Sequence, residues 1–75
     1  MDDDDLVAAE ERIRNLLIAL EHRTLIGQAT GILMERYELS AERAFGTLRR
    51  VSQERNRRVY ELAEQLVTEG HSEGL

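Results

Sequence analysis

The sequence contains no cysteine, no proline and no tryptophan, and it has only two histidines. The missing cysteines exclude disulfides and thiolate metal sites, and two histidines are too few for us to expect a zinc site. A chain of 75 residues forms at most one small domain, which buries only about 60% of the surface of its unfolded chain. Association with another chain is therefore the remaining way to bury more apolar surface.

Long apolar runs are also missing, since no stretch reaches the roughly 18 apolar residues of a membrane-spanning helix. The start, Met-Asp-Asp-Asp-Asp, is acidic where a secretory signal peptide is basic. We therefore predict a cytoplasmic protein that does not enter a membrane. The acidic residues fall on solvated helix faces, and a short helical chain offers little pocket volume. We expect no enzyme, and hence no catalytic residue and no cofactor.

Lysine is absent too: all ten basic residues are arginine, and the net charge is −5. The arginines are concentrated in residues 43–58, which contain six of them and a single acidic residue, Glu54, for a local charge of +5. A local basic patch matters more to a nucleic acid than the total charge does, and arginine suits bidentate phosphate contacts. The window is compatible with a nucleic-acid surface, but a solvated basic face would give the same pattern.

The first apolar pattern indicates a helix with a narrow apolar stripe. Its apolar residues recur at alternating spacings of three and four, as in the a and d positions of a coiled coil. These seam residues are Leu6, Ala9, Ile13, Leu16 and Leu20. Two heptads do not establish a coiled coil. The helix either packs on its own bundle or forms the seam of a homodimer, and we favour the homodimer because the core is small.

After His22, interpreted as an ordinary surface residue, the apolar face shifts, and we predict that the same helix continues to residues 37–39. Ser40 is a good N-cap for a second helix over residues 41–55, in which Phe45 lies beside the core stripe. Asn56 is a plausible cap for a third helix, which Gly70 ends. The inner stripes of the three helices are Ile26, Ala29, Leu33 and Tyr37; Ala44, Leu48 and Val51; and Val59, Leu62, Ala63, Leu66 and Val67.

The predicted fold is all-α, because no segment alternates with a period of two. The first half of the long N-terminal helix forms a coiled coil, and its second half joins the two shorter helices in a three-helix bundle. The predicted organisation is an acidic lead over residues 1–5, a dimerisation helix over 6–23, a three-helix domain over 24–69 and a C-terminal tail over 70–75, of which we expect residues 71–75 to be frayed.

Two glycines lie four residues apart inside the long helix, where each costs about 1 kcal/mol relative to alanine. Gly31 falls on the outward polar side with Gln28, which predicts a surface that another molecule approaches closely. Gly27 lies at the edge of the core, and we interpret it as allowing close helix packing. A second polar flank, on the second helix, consists of Arg49, Ser52, Gln53 and Asn56.

The segment Ile-Gly-Gln-Ala-Thr-Gly-Ile-Leu-Met at 26–34 resembles the I-x-Q-A-K-G-I-L-M signature of ANTAR domains. These are the RNA-binding modules of AmiR- and NasR-type transcription antitermination regulators. The resemblance continues through Ser40, Glu-Arg-Ala-Phe at 42–45, Leu-Arg at 48–49 and Asn-Arg-Arg-Val at 56–59. It covers residues 23–69. The motifs in this order are more specific to the family than any one of them alone.

The resemblance implies a domain that binds paired stem-loops in nascent leader RNA and so prevents formation of a terminator hairpin. RNA is read mainly at exposed loop bases. Aromatic stacking should contribute little here, because we assign Tyr37 and Phe45 to the core. By position, the RNA-facing residues implied by the family are Gln28, Ala29, Thr30, Gly31, Arg49, Ser52, Asn56, Arg57 and Arg58.

Three positions depart from the family pattern. Thr30 stands where lysine is common, Ser52 where alanine is common, and Arg57 or Arg58 replaces a lysine. The missing lysine at position 30 removes a phosphate contact. The family's usual sensor domain is not in the sequence, which indicates either a stand-alone form, regulated by a sensor or regulatory protein partner or by its own concentration, or a fragment.

Two other functions remain open at this point. One is a helical dimeric protein-interaction module without RNA binding, which Thr30 and the net charge of −5 favour. The other is a helical DNA-binding regulator, although the second and third helices resemble a helix-turn-helix only loosely.

Overall fold

A computed structural model describes residues 3–75, which form three α-helices: α1 (Asp3–Tyr37), α2 (Ala41–Arg55) and α3 (Val59–Glu69). The predicted all-α fold, with one long helix and two shorter ones, is confirmed, and no strand occurs within residues 3–75. The molecule measures 53 × 22 × 22 Å. Its long dimension matches α1, because a helix of 35 residues extends about 52 Å.

Helix α1 begins with an acidic turn, Asp3 to Asp5, where carboxylates favour the positive end of the helix dipole. The predicted acidic lead therefore includes the first turn of the helix, and its residues 1 and 2 lie outside the described residues. The helix ends as predicted at Tyr37. Glu38 then adopts a left-handed conformation (φ 53°), and the Leu39 N–H donates to the Met34 carbonyl at 3.0 Å, a Schellman-type closure.

Helix α2 starts at the predicted cap, because the Ser40 hydroxyl oxygen accepts from the Arg43 N–H at 3.2 Å. The prediction for Asn56 is wrong. It is the C-cap of α2, with φ 53°, rather than a cap for α3. Asparagine tolerates positive φ better than most residues, so it suits the end of one helix as well as the start of another. The N-cap of α3 is Arg58, which makes no side-chain capping bond.

The core lies where α2 and α3 pack against the second half of α1. Each helix contributes one alanine and one leucine to a single buried cluster, and the alanines let the helix axes approach closely. The first half of α1 is left outside this bundle, as the sequence predicted. The cluster consists of Ala29, Leu33, Ala44, Leu48, Ala63 and Leu66.

Two aromatic residues predicted in the core lie on the surface instead. Tyr37 is 52% exposed and Phe45 is 41% exposed. Tyr37 is the last residue of α1, beside its C-terminal closure. Phe45 follows the buried Ala44, so its side chain points about 100° away from the core stripe of α2. The remaining aromatic residue, Tyr60, is half-buried and stacks on His22 with a centroid distance of 3.7 Å.

The C-terminal tail packs on the bundle and is not frayed, which corrects the prediction for residues 71–75. Gly70 does end α3 as expected, with φ 81°. Beyond it, Ser72 is buried and its hydroxyl donates to Gln65 Oε1 at 3.1 Å. Leu75 packs against the core cluster. The Ser72–Gln65 bond crosses the helix end at Gly70, and Leu75 contacts a cluster built by all three helices, which explains why helical periodicity did not reveal these contacts.

Gly74→Ala should destabilise the domain by about 1–2 kcal/mol. Gly74 has φ 80°, and an added Cβ would lie 2.9 Å from Cγ1 of Val51. The matched control is Gly46→Ala in α2, where an added Cβ meets nothing within 4 Å and removal of a helical glycine should stabilise by about 0.5–1 kcal/mol. Urea unfolding of both variants tests this. Equal stability of Gly74→Ala and wild type would show that tail docking contributes nothing.

Candidate nucleic-acid interface

One face of α2 presents the predicted RNA-binding residues of that helix. Arg49, Ser52 and Asn56 recur at spacings of three and four, so they lie along one side of the helix. Arg49 and Asn56 are exposed, and Ser52 is half-buried. The core stripe Ala44 and Leu48 occupies a different side. The fold therefore directs this polar side to solvent.

The connection between α2 and α3 is fixed by two hydrogen bonds between the same two residues. The Ser52 hydroxyl donates to the Arg57 carbonyl, and the Arg57 N–H donates to the Ser52 carbonyl at 3.0 Å. The hydroxyl has only one proton to donate. Ser52, where the family commonly has alanine, therefore holds the backbone around Asn56 in position, and it has no proton left to offer a ligand.

The guanidinium of Arg57 is likewise engaged within the fold. Its Nη1 donates to Gln65 Oε1 at 3.0 Å, and its Nε lies 3.7 Å from the Glu61 carboxylate. The same Gln65 oxygen also accepts from Ser72. Arg57 therefore ties the helix connection to α3 and, through Gln65, to the C-terminal tail. Its charge is partly offset before any ligand arrives.

The six arginines of the basic window divide into two groups. Three have a carboxylate neighbour: Arg50 with Glu54 at 3.2 Å, Arg55 with Glu73 at 3.9 Å, and Arg57 with Glu61 at 3.7 Å. The other three are exposed and form no ion pair within residues 3–75. Solvent-exposed pairs contribute little stability, but they do offset charge. The positive charge of the window is therefore least compensated at Arg43, Arg49 and Arg58.

The predicted residues of α1 do not all face solvent. Gln28 and Gly31 are exposed, and nothing lies within 4 Å of a Cβ built on Gly31. Ala29 is fully buried, so its side chain belongs to the core and we remove it from the RNA-facing set. Thr30 is half-buried, and its hydroxyl donates to the Ile26 carbonyl at 2.6 Å. The short side chain of Thr30 therefore does not extend into solvent as the lysine common in the family would.

The predicted site thus has two parts, which lie on different helices. The exposed residues of α1 form one part, and the α2 face with the following connection forms the other. No hydrogen bond or ion pair links the two parts in the described chain. Gly27 also lies in open surroundings, so the predicted close helix packing at this glycine does not occur within the bundle.

The first half of α1 carries most of the exposed apolar surface. Seven of the nine large hydrophobic residues exposed in residues 3–75 lie there. Leu6, Ile13, Leu16 and Leu20 of the predicted seam are each more than half exposed. Such a concentration of apolar side chains indicates an interaction site. The remaining three, outside the predicted seam, are Val7, Leu17 and Ile18.

Sequence reasoning missed two features near these surfaces. The guanidinium carbon of Arg49 lies 5.9 Å from the centroid of the Phe45 ring. The spacing of four residues in a helix was a usable signal for this contact. The stack of His22 on Tyr60 joins α1 to α3 just beyond the seam, where we expected an ordinary surface histidine. This contact joins distant segments and leaves no local signal.

Other kinds of site find little support. Within residues 3–75, no three His, Cys, Asp or Glu side chains converge as metal ligands. None of the helices described is both long enough and apolar enough to cross a membrane.

Comparison with protein-family models gives a match to the ANTAR domain over residues 14–67. Searches of curated proteins and of solved structures found no significant match. The matched region includes all of α2, most of α3 and the second half of α1, and therefore every element that builds the core. It also includes each of the nine predicted RNA-facing positions. The chain belongs to the ANTAR domain family, a family of regulatory RNA-binding domains.

Proposed function

We propose that this protein is a transcription antitermination regulator that acts as a homodimer in the cytoplasm. It binds paired stem-loops in nascent leader RNA and thereby prevents the terminator hairpin from forming. The observation that carries the proposal is the exposed α2 face, in which Arg49 has no carboxylate partner in the described chain, within an ANTAR domain. The protein acts by binding, and no catalytic step is required.

The chemistry of the α2 face suits RNA. Arginine offers a planar, charged fork that matches phosphate, and the amide of Asn56 can both donate and accept at a base edge. Duplex RNA hides its bases in a narrow major groove, so proteins read unpaired loop bases. Because Arg57 and Ser52 hold the connection in place, the face is ordered before RNA arrives.

The exposed seam supports the homodimer. Leu6, Ile13, Leu16 and Leu20 lie outside the bundle, and burial against a second copy removes them from water. Two copies carry two RNA-binding domains, which matches two stem-loops on one RNA. The domain organisation we propose is a dimerisation helix over residues 6–23 followed by the three-helix domain over 24–69.

A second candidate is a dimeric protein-interaction module without RNA binding. It is favoured by the exposed Val7 and Ile18, which lie on α1 outside the seam and would suit a further protein partner. The engaged hydroxyl of Thr30 also fits this alternative. A sensor or regulatory protein bound at this surface is compatible with RNA binding by the same chain.

Arg49→Ala should weaken RNA binding by about 1–3 kcal/mol and lower the salt dependence of the binding constant by about one phosphate contact. The probe is a two-stem-loop RNA selected on the wild-type protein from a pool with randomised loops. Gel shifts across a salt series measure both quantities. Arg50→Ala is the matched control, because Arg50 is paired with Glu54 and points about 100° away from Arg49.

The outcomes separate the two candidate functions. Equal binding by Arg49→Ala, Arg50→Ala and wild type would remove the α2 face from the site. If no RNA is selected by a confirmed dimer, the proposed RNA-binding function is wrong and the protein-interaction module is favoured. A single-round transcription assay then tests antitermination itself: wild type should increase read-through of a terminator placed after the selected RNA, and Arg49→Ala should not.

A further inference from the structure

Phe45 extends the α2 face by one turn. It precedes Arg49 by four residues, Ser52 by seven and Asn56 by eleven, so all four lie within about 60° of one another around the helix. Together they form a stripe about 16 Å long. The ring is 41% exposed, and it is not part of the buried core cluster. Packing against the core cluster therefore does not account for an aromatic residue here.

The Phe45 ring and the Arg49 side chain form one surface. The guanidinium carbon is 5.9 Å from the ring centroid, within the range of cation–π attraction. Arg49 has no competing carboxylate in the part of the chain that the structure describes. The guanidinium thus lies over the ring, where its positive charge is free to meet a phosphate, and the part of Phe45 that remains exposed is open to a base.

We propose that Phe45 and Arg49 together form a stacking platform for one unpaired base of an RNA loop. The base stacks on the exposed ring, and Arg49 contacts the phosphate of the same or the adjacent nucleotide. Loop bases are accessible for such stacking because they lie outside the duplex. This inference rests on the proposed function and deepens it, since it adds a residue that recognises the base rather than the backbone.

The composition of the stripe favours a nucleic acid over a protein partner. The ring is followed along the helix by a guanidinium, a hydroxyl and an amide, and this face presents no second large apolar side chain. A helix-binding groove would require apolar residues at repeated helical spacings. The exposed apolar residues of this chain are concentrated instead on the first half of α1.

Phe45→Leu tests the platform, because leucine keeps an apolar side chain but has no aromatic face. We expect the dissociation constant for the selected two-stem-loop RNA to rise about 5- to 100-fold. The salt dependence should not change, because the ring is neutral, whereas Arg49→Ala lowers it. Phe45→Tyr retains the ring face and should bind within about threefold of wild type.

A fluorescent base analogue, 2-aminopurine, reports stacking directly. Placed in turn at each loop position, it should be quenched by wild type and by Phe45→Tyr at one position, and that quenching should be lost with Phe45→Leu. Tyr37→Leu is the matched control, because it removes another exposed aromatic ring, which lies on α1. Thermal unfolding checks that each variant is folded.

These experiments test the stacking platform separately from the proposed RNA-binding function. If wild type binds RNA but Phe45→Leu matches it in affinity and in quenching, the platform is wrong and the proposed function stands. An equal loss of affinity in Tyr37→Leu would also overturn the platform. If Phe45→Leu instead changes the sedimentation of the free protein, Phe45 belongs to a protein contact. Selection of no RNA at all removes the proposed function together with the platform.

Discussion

Leu16→Asp should convert the proposed dimer to a monomer and weaken binding to a two-stem-loop RNA by about 10²- to 10⁴-fold. Binding to a single stem-loop should stay the same. Leu16 is 63% exposed in the isolated chain, so the substitution changes the stability of the monomer by no more than about 0.5 kcal/mol. In the proposed dimer the same position lies in an apolar seam, where an unpaired carboxylate carries a large desolvation cost.

The large effect on RNA arises from linkage between two binding events. When one domain of a dimer holds the first stem-loop, the second domain meets the other stem-loop at a high effective concentration. A monomer loses this advantage while its α2 face is unchanged, because that face belongs to the bundle formed by the second half of α1. The two RNAs therefore distinguish loss of the dimer from damage to the site.

Asn15→Asp is the matched control, because it adds the same charge at an exposed neighbouring position away from the seam. Sedimentation velocity should show a dimer for Asn15→Asp and a monomer for Leu16→Asp. A dimeric Leu16→Asp would rule out the seam. A monomer that retained full affinity for the two-stem-loop RNA would show that dimerisation has no part in RNA binding.

The helices could be predicted because their signals are local. Ser40 caps α2 and Gly70 ends α3 through contacts within four residues. Asn56 was misassigned because its position, three residues before α3, suits either the end of α2 or the start of α3. Only its left-handed φ identifies it as the C-cap of α2. Tyr37 and Phe45 were misassigned because both lie beside apolar stripes. A helical wheel locates a stripe but does not determine how far a neighbouring helix covers it.

The candidate site was only partly predictable, because the sequence does not show which arginines are paired. The Arg50–Glu54 and Arg57–Glu61 pairs follow from their i, i+4 spacing. By contrast, Arg57 is engaged by Gln65, and Arg55 lies near Glu73 in the docked tail. Both contacts depend on the tertiary fold. The contacts of these arginines divide the six in the basic window into an engaged group and a free group. A count of charges along the sequence does not distinguish the two groups.

Leu48→Ala should destabilise the domain by about 2–5 kcal/mol. Leu48 is fully buried in the cluster that joins all three helices, so the truncation leaves a cavity where the helices meet. A domain of this size has little stability in reserve, and a substantial unfolded fraction is expected at 25 °C. The matched control is Thr47→Ala, a half-exposed neighbour at which alanine is the better helix former. Urea unfolding at a fixed protein concentration measures both variants.

Leu48→Ala also tests whether RNA binding and folding are coupled. A ligand that binds only the folded state stabilises it by about 2.7 kcal/mol at 100 times its dissociation constant. The selected RNA should therefore restore helicity to Leu48→Ala, and it should do so less with the double variant Leu48→Ala/Arg49→Ala. Equal restoration in both would mean that RNA acts through contacts outside the α2 face. If saturating RNA restored no helicity, RNA binding would not require the folded bundle. That result would contradict the proposal that the core holds the RNA-binding site in place.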